Sequence, residues 1–348
     1  MRNLSVLAIL IPAMVSCCPC RGARTPAAGG AVNPSLTEVE VDADAGPLVG
    51  TLLVPAGEGP FPAIVIIPGS GPTDRDGNNL FLKGQPNYLK DMAERLAKEG
   101  YASLRYDKRG VGKTPAGDKI VDRGVMVSDC RAAFEFLAGR PGIDPKRVAL
   151  LGHSEGGLVA ILASKEVKAA ALILVSTAGR PILKIFEDQV RALIDTQLEG
   201  ENRDAAAKML DDFLAQLAAG GEIDLGPVPD FFTDDLKLVF GEVVKPAKAA
   251  IMRTLYTVDP AEEVVSFKGP ILIIHGEGDA QVPVDDPKRL EAALAASGHA
   301  STTLEIIPAM DHILKRLSGD KPEPYDDPAR KLSEKFLQTL TLWLSKNL

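Results

Sequence analysis

Short runs of β-branched and apolar residues recur along this chain, nearly every one followed by a stretch with helical spacing, and this alternation narrows the possible folds sharply. Ala63-Ile64-Val65-Ile66-Ile67 is apolar at every position, as a strand covered on both faces requires. Further strands are predicted at 102–106, 148–151, 171–175, 271–274 and 303–307, with helices at 89–98, 126–137, 156–164 and 288–296 among them. Ahead of these, 36–41 and 48–54 alternate as a hairpin across the turn at 42–47. The last helix is expected to open with Asp327 as N-cap and Pro328 at its first position, carrying Leu332, Phe336, Leu340 and Trp343/Leu344 on one face. A strand that returns through a helix lies parallel to its predecessor, so the pattern predicts a mostly parallel α/β sheet with helices on both faces.

The alternation stops between 180 and 268. Only helical spacing is found there: Ile182/Phe186/Val190/Leu193, then Leu210/Phe213/Leu214/Leu217 ending at Gly220-Gly221, and shorter segments at 236–240 and 249–256. A helical insertion of this length between two core strands predicts a cap over the site that the sheet carries. The expected division is therefore a core of 36–179 and 269–348 with a helical cap at 180–268.

The first residues read as a leader. Arg2 precedes an apolar run reaching Val15, followed by Ser16, Cys17 and Cys18, the pattern of a secretory signal. Met14-Val15-Ser16-Cys17 also resembles a bacterial lipobox, in which Cys17 is lipidated and becomes the new N-terminus. Residues 1–20 are thus expected to be a signal or lipobox region, and 21–35 a Pro/Gly-rich tether. The expectation is an exported protein, periplasmic or anchored to a bacterial membrane, with plain export and a cytoplasmic start as the other readings. Three of the four cysteines fall in or beside this leader, which leaves Cys130 alone in the globular part as a small buried apolar group. The 39 Lys and Arg against 47 Asp and Glu give a net charge of −8, with no basic cluster, so no nucleic-acid partner is expected.

Gly152-His153-Ser154-Glu155-Gly156 lies directly after one predicted strand and directly before a helix. This is G-x-S-x-G in a strand–turn–helix setting, which holds a serine hydroxyl on a tight turn at the carboxyl edge of a sheet. A nucleophilic serine needs a base, and the chain has four histidines. His153 adjoins the serine and reads as a packing residue, His275 lies at the end of a strand, and His299 falls in a helix-to-strand connection. His312 follows the strand at 303–307 in a loop at the carboxyl edge, which makes it the candidate base. The base needs a carboxylate to set its tautomer. Asp279, within His275-Gly276-Glu277-Gly278-Asp279, is the candidate, with Glu277 and then Asp311 as rivals. The order Ser154, Asp279, His312 matches the chain order known for one such hydrolase arrangement. Candidate donors to a developing oxyanion are the N–H of Glu155, at a helix N-terminus, and that of Ser70 (or else Gly71) in Pro68-Gly69-Ser70-Gly71-Pro72.

These segments resemble an α/β-hydrolase of the serine esterase type over most of 36–348. The loop Pro68-Gly69-Ser70-Gly71-Pro72-Thr73-Asp74-Arg75-Asp76-Gly77-Asn78 is similar to that of a group of bacterial capped carboxylesterases, as are Tyr106-Asp107-Lys108-Arg109-Gly110-Val111-Gly112, the Ser154 motif with Gly157, and His275–Asp279. The resemblance implies an α/β-hydrolase fold with a cap, hydrolysis of short- to medium-chain acyl esters, and neither metal nor cofactor. Related capped hydrolases also carry the label serine aminopeptidase, so a peptidase or amidase is the second reading. A non-catalytic binding protein on the same fold is the third. No clustered Cys/His ligand set or H-E-x-x-H occurs, so a catalytic metal is not expected. Gly110-Val111-Gly112-Lys113-Thr114 has the tail of a phosphate-binding loop, but its first glycine would fall at Asp107, whose carboxylate opposes a triphosphate. The trio Asp74, Arg75 and Asp76 is expected to tie its loop to Asp107, Lys108 and Arg109 through ion pairs, with the positioning of a polar substrate group as the other reading.

Overall fold

The computed structural model describes residues 33–79, 84–319, 322–325 and 327–348; the leader, Cys17 and the tether up to residue 32 lie outside them. Eight strands form one sheet: β1 (Ser35–Val41), β2 (Leu48–Val54), β3 (Phe61–Ile67), β4 (Ala102–Tyr106), β5 (Ile143–His153), β6 (Leu172–Val175), β7 (Ile271–Gly276) and β8 (Thr302–Ile307). Their order is β1-β2-β4-β3-β5-β6-β7-β8. The β1–β2 hairpin and the β2–β4 pair are antiparallel, and every later pairing is parallel. This is the α/β-hydrolase fold expected from the alternation of elements.

The period-two geometry of β3 explains its unbroken apolar run. Ala63, Val65 and Ile67 enter the core on one side of the sheet, Ile64 and Ile66 the core on the other. Burying each Val or Ile contributes roughly 1.5–3 kcal/mol, so both faces need covering. Helices α1 (Tyr88–Lys98) and α10 (Glu334–Asn347) cover one face, while α2 (Arg123–Ala138) and α3 (Glu155–Ala163) cover the other. Every residue of α3 is buried, which accounts for its lack of a polar stripe. Cys130 on α2 is fully buried, and burial pushes its thiol far above the ordinary range, in keeping with a packing role.

The last helix begins later than its sequence suggests. Asp327 and Pro328 do not start it; Ser333 is the N-cap, and its Oγ accepts from the Phe336 N–H at 3.4 Å. The preceding residues are held elsewhere: Leu332 pairs with Lys315 in a β-bridge, and Arg330 donates to Asp311 at 2.6 Å. Tertiary partners thus outcompete a local N-terminal signal.

Between β6 and β7 stand α4 (Ile182–Gln197), α5 (Gly200–Ala219), α6 (Asp234–Val243), α7 (Pro246–Thr254) and α8 (Pro260–Val264). Another helix, α9 (Asp285–Ala296), links β7 to β8. The inserted helices pack by apolar faces; the Phe186 and Phe213 rings meet edge-on with centroids 5.9 Å apart. Among the described residues, no helix is long and apolar enough to cross a membrane.

Candidate active site

Because β3, β5, β7 and β8 run parallel, the loops leaving them meet at one edge of the sheet, where Gly69, Ser70, His153, Ser154 and His312 line a common cleft. Ser154 sits between β5 and α3 with φ 54° and ψ −121°, a left-handed conformation that costs a side-chain-bearing residue roughly 1–3 kcal/mol. The turn closes only with glycines around it. A Cβ on Gly156 would lie 2.5 Å from the Ile67 carbonyl oxygen and 2.6 Å from that of Pro68, and one on Gly152 would overlap Gly156 itself. The Ser154 N–H donates to the Val175 carbonyl at 2.9 Å, pinning the turn to β6.

His312 and Asp279 come together at the same edge. Nδ1–H of His312 donates to Oδ2 of Asp279 at 2.8 Å, which leaves Nε2 as the ring's acceptor. Asp279 Oδ1 accepts from the N–H groups of Gln281 and Val282 at 2.9 and 3.0 Å, so the carboxylate is held on both sides. Burial alone would raise the Asp279 carboxyl; the charge and hydrogen bond of His312, with His275 behind, hold it below the usual carboxylate range. The two rival carboxylates stand apart. Glu277 is exposed, and Asp311 is engaged by Arg330 at 2.6 Å and by the Lys315 N–H at 2.9 Å.

The other histidines are structural. Nε2–H of His153 donates to the His312 carbonyl at 2.8 Å, and Nδ1 accepts from the Tyr88 hydroxyl at 3.1 Å. Burial, reinforced by His312, pushes His153 down to about 3, so it is neutral in this tautomer. Nε2–H of His275 donates to the Val282 carbonyl at 2.9 Å, which holds the loop that carries Asp279. His299 bonds Thr302 Oγ1 at 2.8 Å, three residues along the chain.

The oxyanion-loop candidates lie beside the serine: Ser70 lines the cleft, and a Cβ on Gly69 would be 3.3 Å from Ser154 Cβ. Of the charged trio, Arg75 Nε donates to Asp107 at 3.1 Å as expected, but Asp76 pairs with Arg105 rather than with Lys108 or Arg109. Arg109 turns instead to Asp129, at 2.6 Å, because it lies beyond the end of β4 against α2. Asp107 Oδ2 also accepts from the Lys113 N–H at 2.9 Å and packs where a Cβ of Gly112 would go, so a carboxylate fills the turn that resembles a phosphate loop.

Two inward-facing polar residues of the segment inserted between β6 and β7 escaped the sequence reading. The Tyr256 hydroxyl donates to Glu155 Oε2 at 2.6 Å, and Lys248 Nζ lies 3.4 Å from the same hydroxyl. Burial pushes the Lys248 ammonium down to about 8, against the pull of Glu155. A lysine on the buried side of a helical pattern was the available signal. Tyr88, Gln281 and Tyr325, which also line the cleft, left no such trace.

Four acidic residues of the inserted helices are ion-paired. Glu187 pairs with Lys184 and Arg191, Asp188 with Arg180, Asp211 with Arg191, and Asp212 with Lys208, at 2.5–2.9 Å.

Residues 86–227 match a family model described as serine aminopeptidase, S33, and residues 231–327 one described as the prolyl oligopeptidase family. Esterase EstD of Thermotoga maritima is 27% identical over 318 residues, covering 90% of this chain and 69% of its own. Among solved structures, an esterase of Pyrococcus furiosus superposes with a TM-score of 0.55 at 17% identity over 97% of each chain. A thermophilic esterase from Thermogutta terrifontis gives 0.53 at 18% identity, covering 89% of this chain and 98% of that one.

Proposed function

We propose that this chain, a serine hydrolase of the α/β-hydrolase superfamily, is a carboxylesterase that cleaves short- to medium-chain acyl esters through an acyl-enzyme on Ser154. The carrying observation is the His312–Asp279 hydrogen bond of 2.8 Å at the edge where Ser154 is held. With Nδ1 protonated and bound, Nε2 is free to take the Ser154 proton as Oγ attacks the ester carbonyl. The N–H groups of Ser70 and Glu155 then stabilise the oxyanion, His312 returns the proton to the departing alcohol, and water repeats the sequence on the acyl-enzyme. Each proton that leaves Ser154 or water is carried by His312, while Asp279 stays ionised. No step calls for a metal or cofactor.

The alternative bond is an amide, favoured by the peptidase descriptions of the two family models. None of Glu187, Asp188, Asp211 and Asp212 is among the residues that line the Ser154 cleft, which weighs against their anchoring a substrate ammonium there. The test is an initial-rate panel of p-nitrophenyl esters from acetate to palmitate beside aminoacyl p-nitroanilides, on wild type and Ser154→Ala. Ester turnover that peaks at one chain length and vanishes in the variant is expected. Preferred anilide cleavage would move the assignment to a peptidase, and silence on both would favour a binding role. From the leader pattern at 1–20 we further propose that the enzyme is exported, with Cys17 as its lipid attachment point.

A further inference from the structure

Lys108 stands just past β4 and reaches two groups that the proposed chemistry depends on. Its Nζ donates to the Gly69 carbonyl oxygen at 2.5 Å and to Glu155 Oε1 at 3.3 Å. The Gly69 carbonyl and the Ser70 N–H belong to one planar trans peptide, so they point in opposite directions. Whatever grips the carbonyl therefore aims the N–H. The Ser70 N–H therefore points away from Lys108, and Gly69, Ser70 and Ser154 all line the cleft. The next peptide is held as well, since Thr73 Oγ1 donates to the Ser70 carbonyl at 2.8 Å.

Glu155 fixes Lys108 in turn. Its side chain is only 3% exposed, and each carboxylate oxygen has one assigned partner: Lys108 at Oε1, and the cap's Tyr256 hydroxyl at Oε2, 2.6 Å away. Glu155 also carries the second N–H proposed for the oxyanion. One lysine thus joins the two backbone segments whose N–H groups must converge on a single oxygen.

We infer that Lys108 is a positioning residue that aims the Ser70 N–H into the oxyanion hole and sets its spacing from the Glu155 N–H. The inference rests on the acyl-transfer reading above. A purely structural ion pair would affect stability, because removing one partner leaves a buried charge uncompensated. A residue that aims a donor affects the transition state instead. Losing an oxyanion donor outright costs about 10²–10³ in kcat, and a misdirected one should cost less.

The test compares wild type, Lys108→Met and Lys108→Arg in two assays: steady-state hydrolysis of p-nitrophenyl butyrate, and the rate at which a fluorophosphonate labels Ser154. Labelling forms the Ser Oγ–P bond, expels fluoride and places the phosphoryl oxygen in the same hole, without needing the correct ester. Expected for Lys108→Met is a kcat lower by about ten- to a hundredfold, with KM within threefold and labelling slowed in parallel. Lys108→Arg, which keeps the charge and a donor, should recover most of the loss. Thermal unfolding of each variant separates these effects from misfolding, and Lys108→Gln replaces Lys108→Met if the latter does not fold. Unchanged kcat and labelling in a folded variant would overturn the role of Lys108. If the wild type labels but turns over no ester, slower labelling in Lys108→Met would sustain that role while the esterase reading fails. A wild type that neither labels nor hydrolyses overturns both.

Discussion

Nε2 of His153 donates to the backbone carbonyl of His312 at 2.8 Å. The residue just before the proposed nucleophile thus supports the loop that bears the proposed base, across 159 positions of sequence. The Tyr88 hydroxyl holds the other ring nitrogen, so His153 can neither rotate nor take a second proton without breaking a buried bond.

The burial of His153 makes stability sensitive to acid. Burial sets His153 at about 3, against 6.5 for a free imidazole. Between these values the unfolded chain binds a proton that the native state does not, so stability falls as pH drops. From pH 7 to pH 5 the loss from this one residue should be about 2 kcal/mol. His275 is shifted in the same direction by burial and adds to it. Urea unfolding of His153→Gln, whose amide can replace both hydrogen bonds, should show a pH 7-to-5 difference smaller by about that amount. An equal difference in both proteins would refute the assignment.

Asp279→Asn should leave the loop nearly intact, since the amide oxygen can still accept from Gln281 and Val282. Its NH₂ would face Nδ1, however, and favour the wrong tautomer of His312. A loss of about 10⁴ in kcat is expected, with little change in KM. A loss under tenfold would mean that another group orients the ring.

Gly156→Ala places a methyl against the Ile67 and Pro68 carbonyls, and these belong to β3 and the loop that follows it rather than to a movable side chain. Destabilisation of about 3 kcal/mol is expected, together with loss of fluorophosphonate labelling. A variant with wild-type Tm and labelling would show that the elbow tolerates a shift we consider closed to it.

Asp188→Asn and Asp211→Asn break ion pairs on side chains 58% and 60% exposed. Stability should change by less than about 1 kcal/mol, and ester kinetics should not change. A selective loss of anilide hydrolysis in either variant would revive the peptidase reading.

If Cys17 carries a lipid, expression of the full chain in a bacterial host should place it in the membrane fraction. Cys17→Ala should then appear in a soluble fraction with the same specific activity. Identical fractionation of the two would leave plain export or cytoplasmic residence.

Much of this protein is encoded locally. The unbroken apolar run at 63–67, the helical spacing of the insertion, and a serine on a glycine turn between strand and helix are properties of contiguous residues, and each could be read without the rest of the chain. The carboxyl-edge positions of Asp279 and His312 followed from the alternation, because parallel strands deliver their following loops to one edge. What contiguous residues could not decide was which groups meet there. Asp279 rather than Glu277 faces His312, Arg105 rather than Lys108 takes Asp76, Arg330 is drawn to Asp311 ahead of a later-starting helix, and Lys108 joins Gly69 to Glu155. Those pairings depend on strand order and on how far each strand runs, which are set by burial summed over the whole sheet. A loop side chain has several chemically equivalent partners within reach until that sum places one of them 3 Å away.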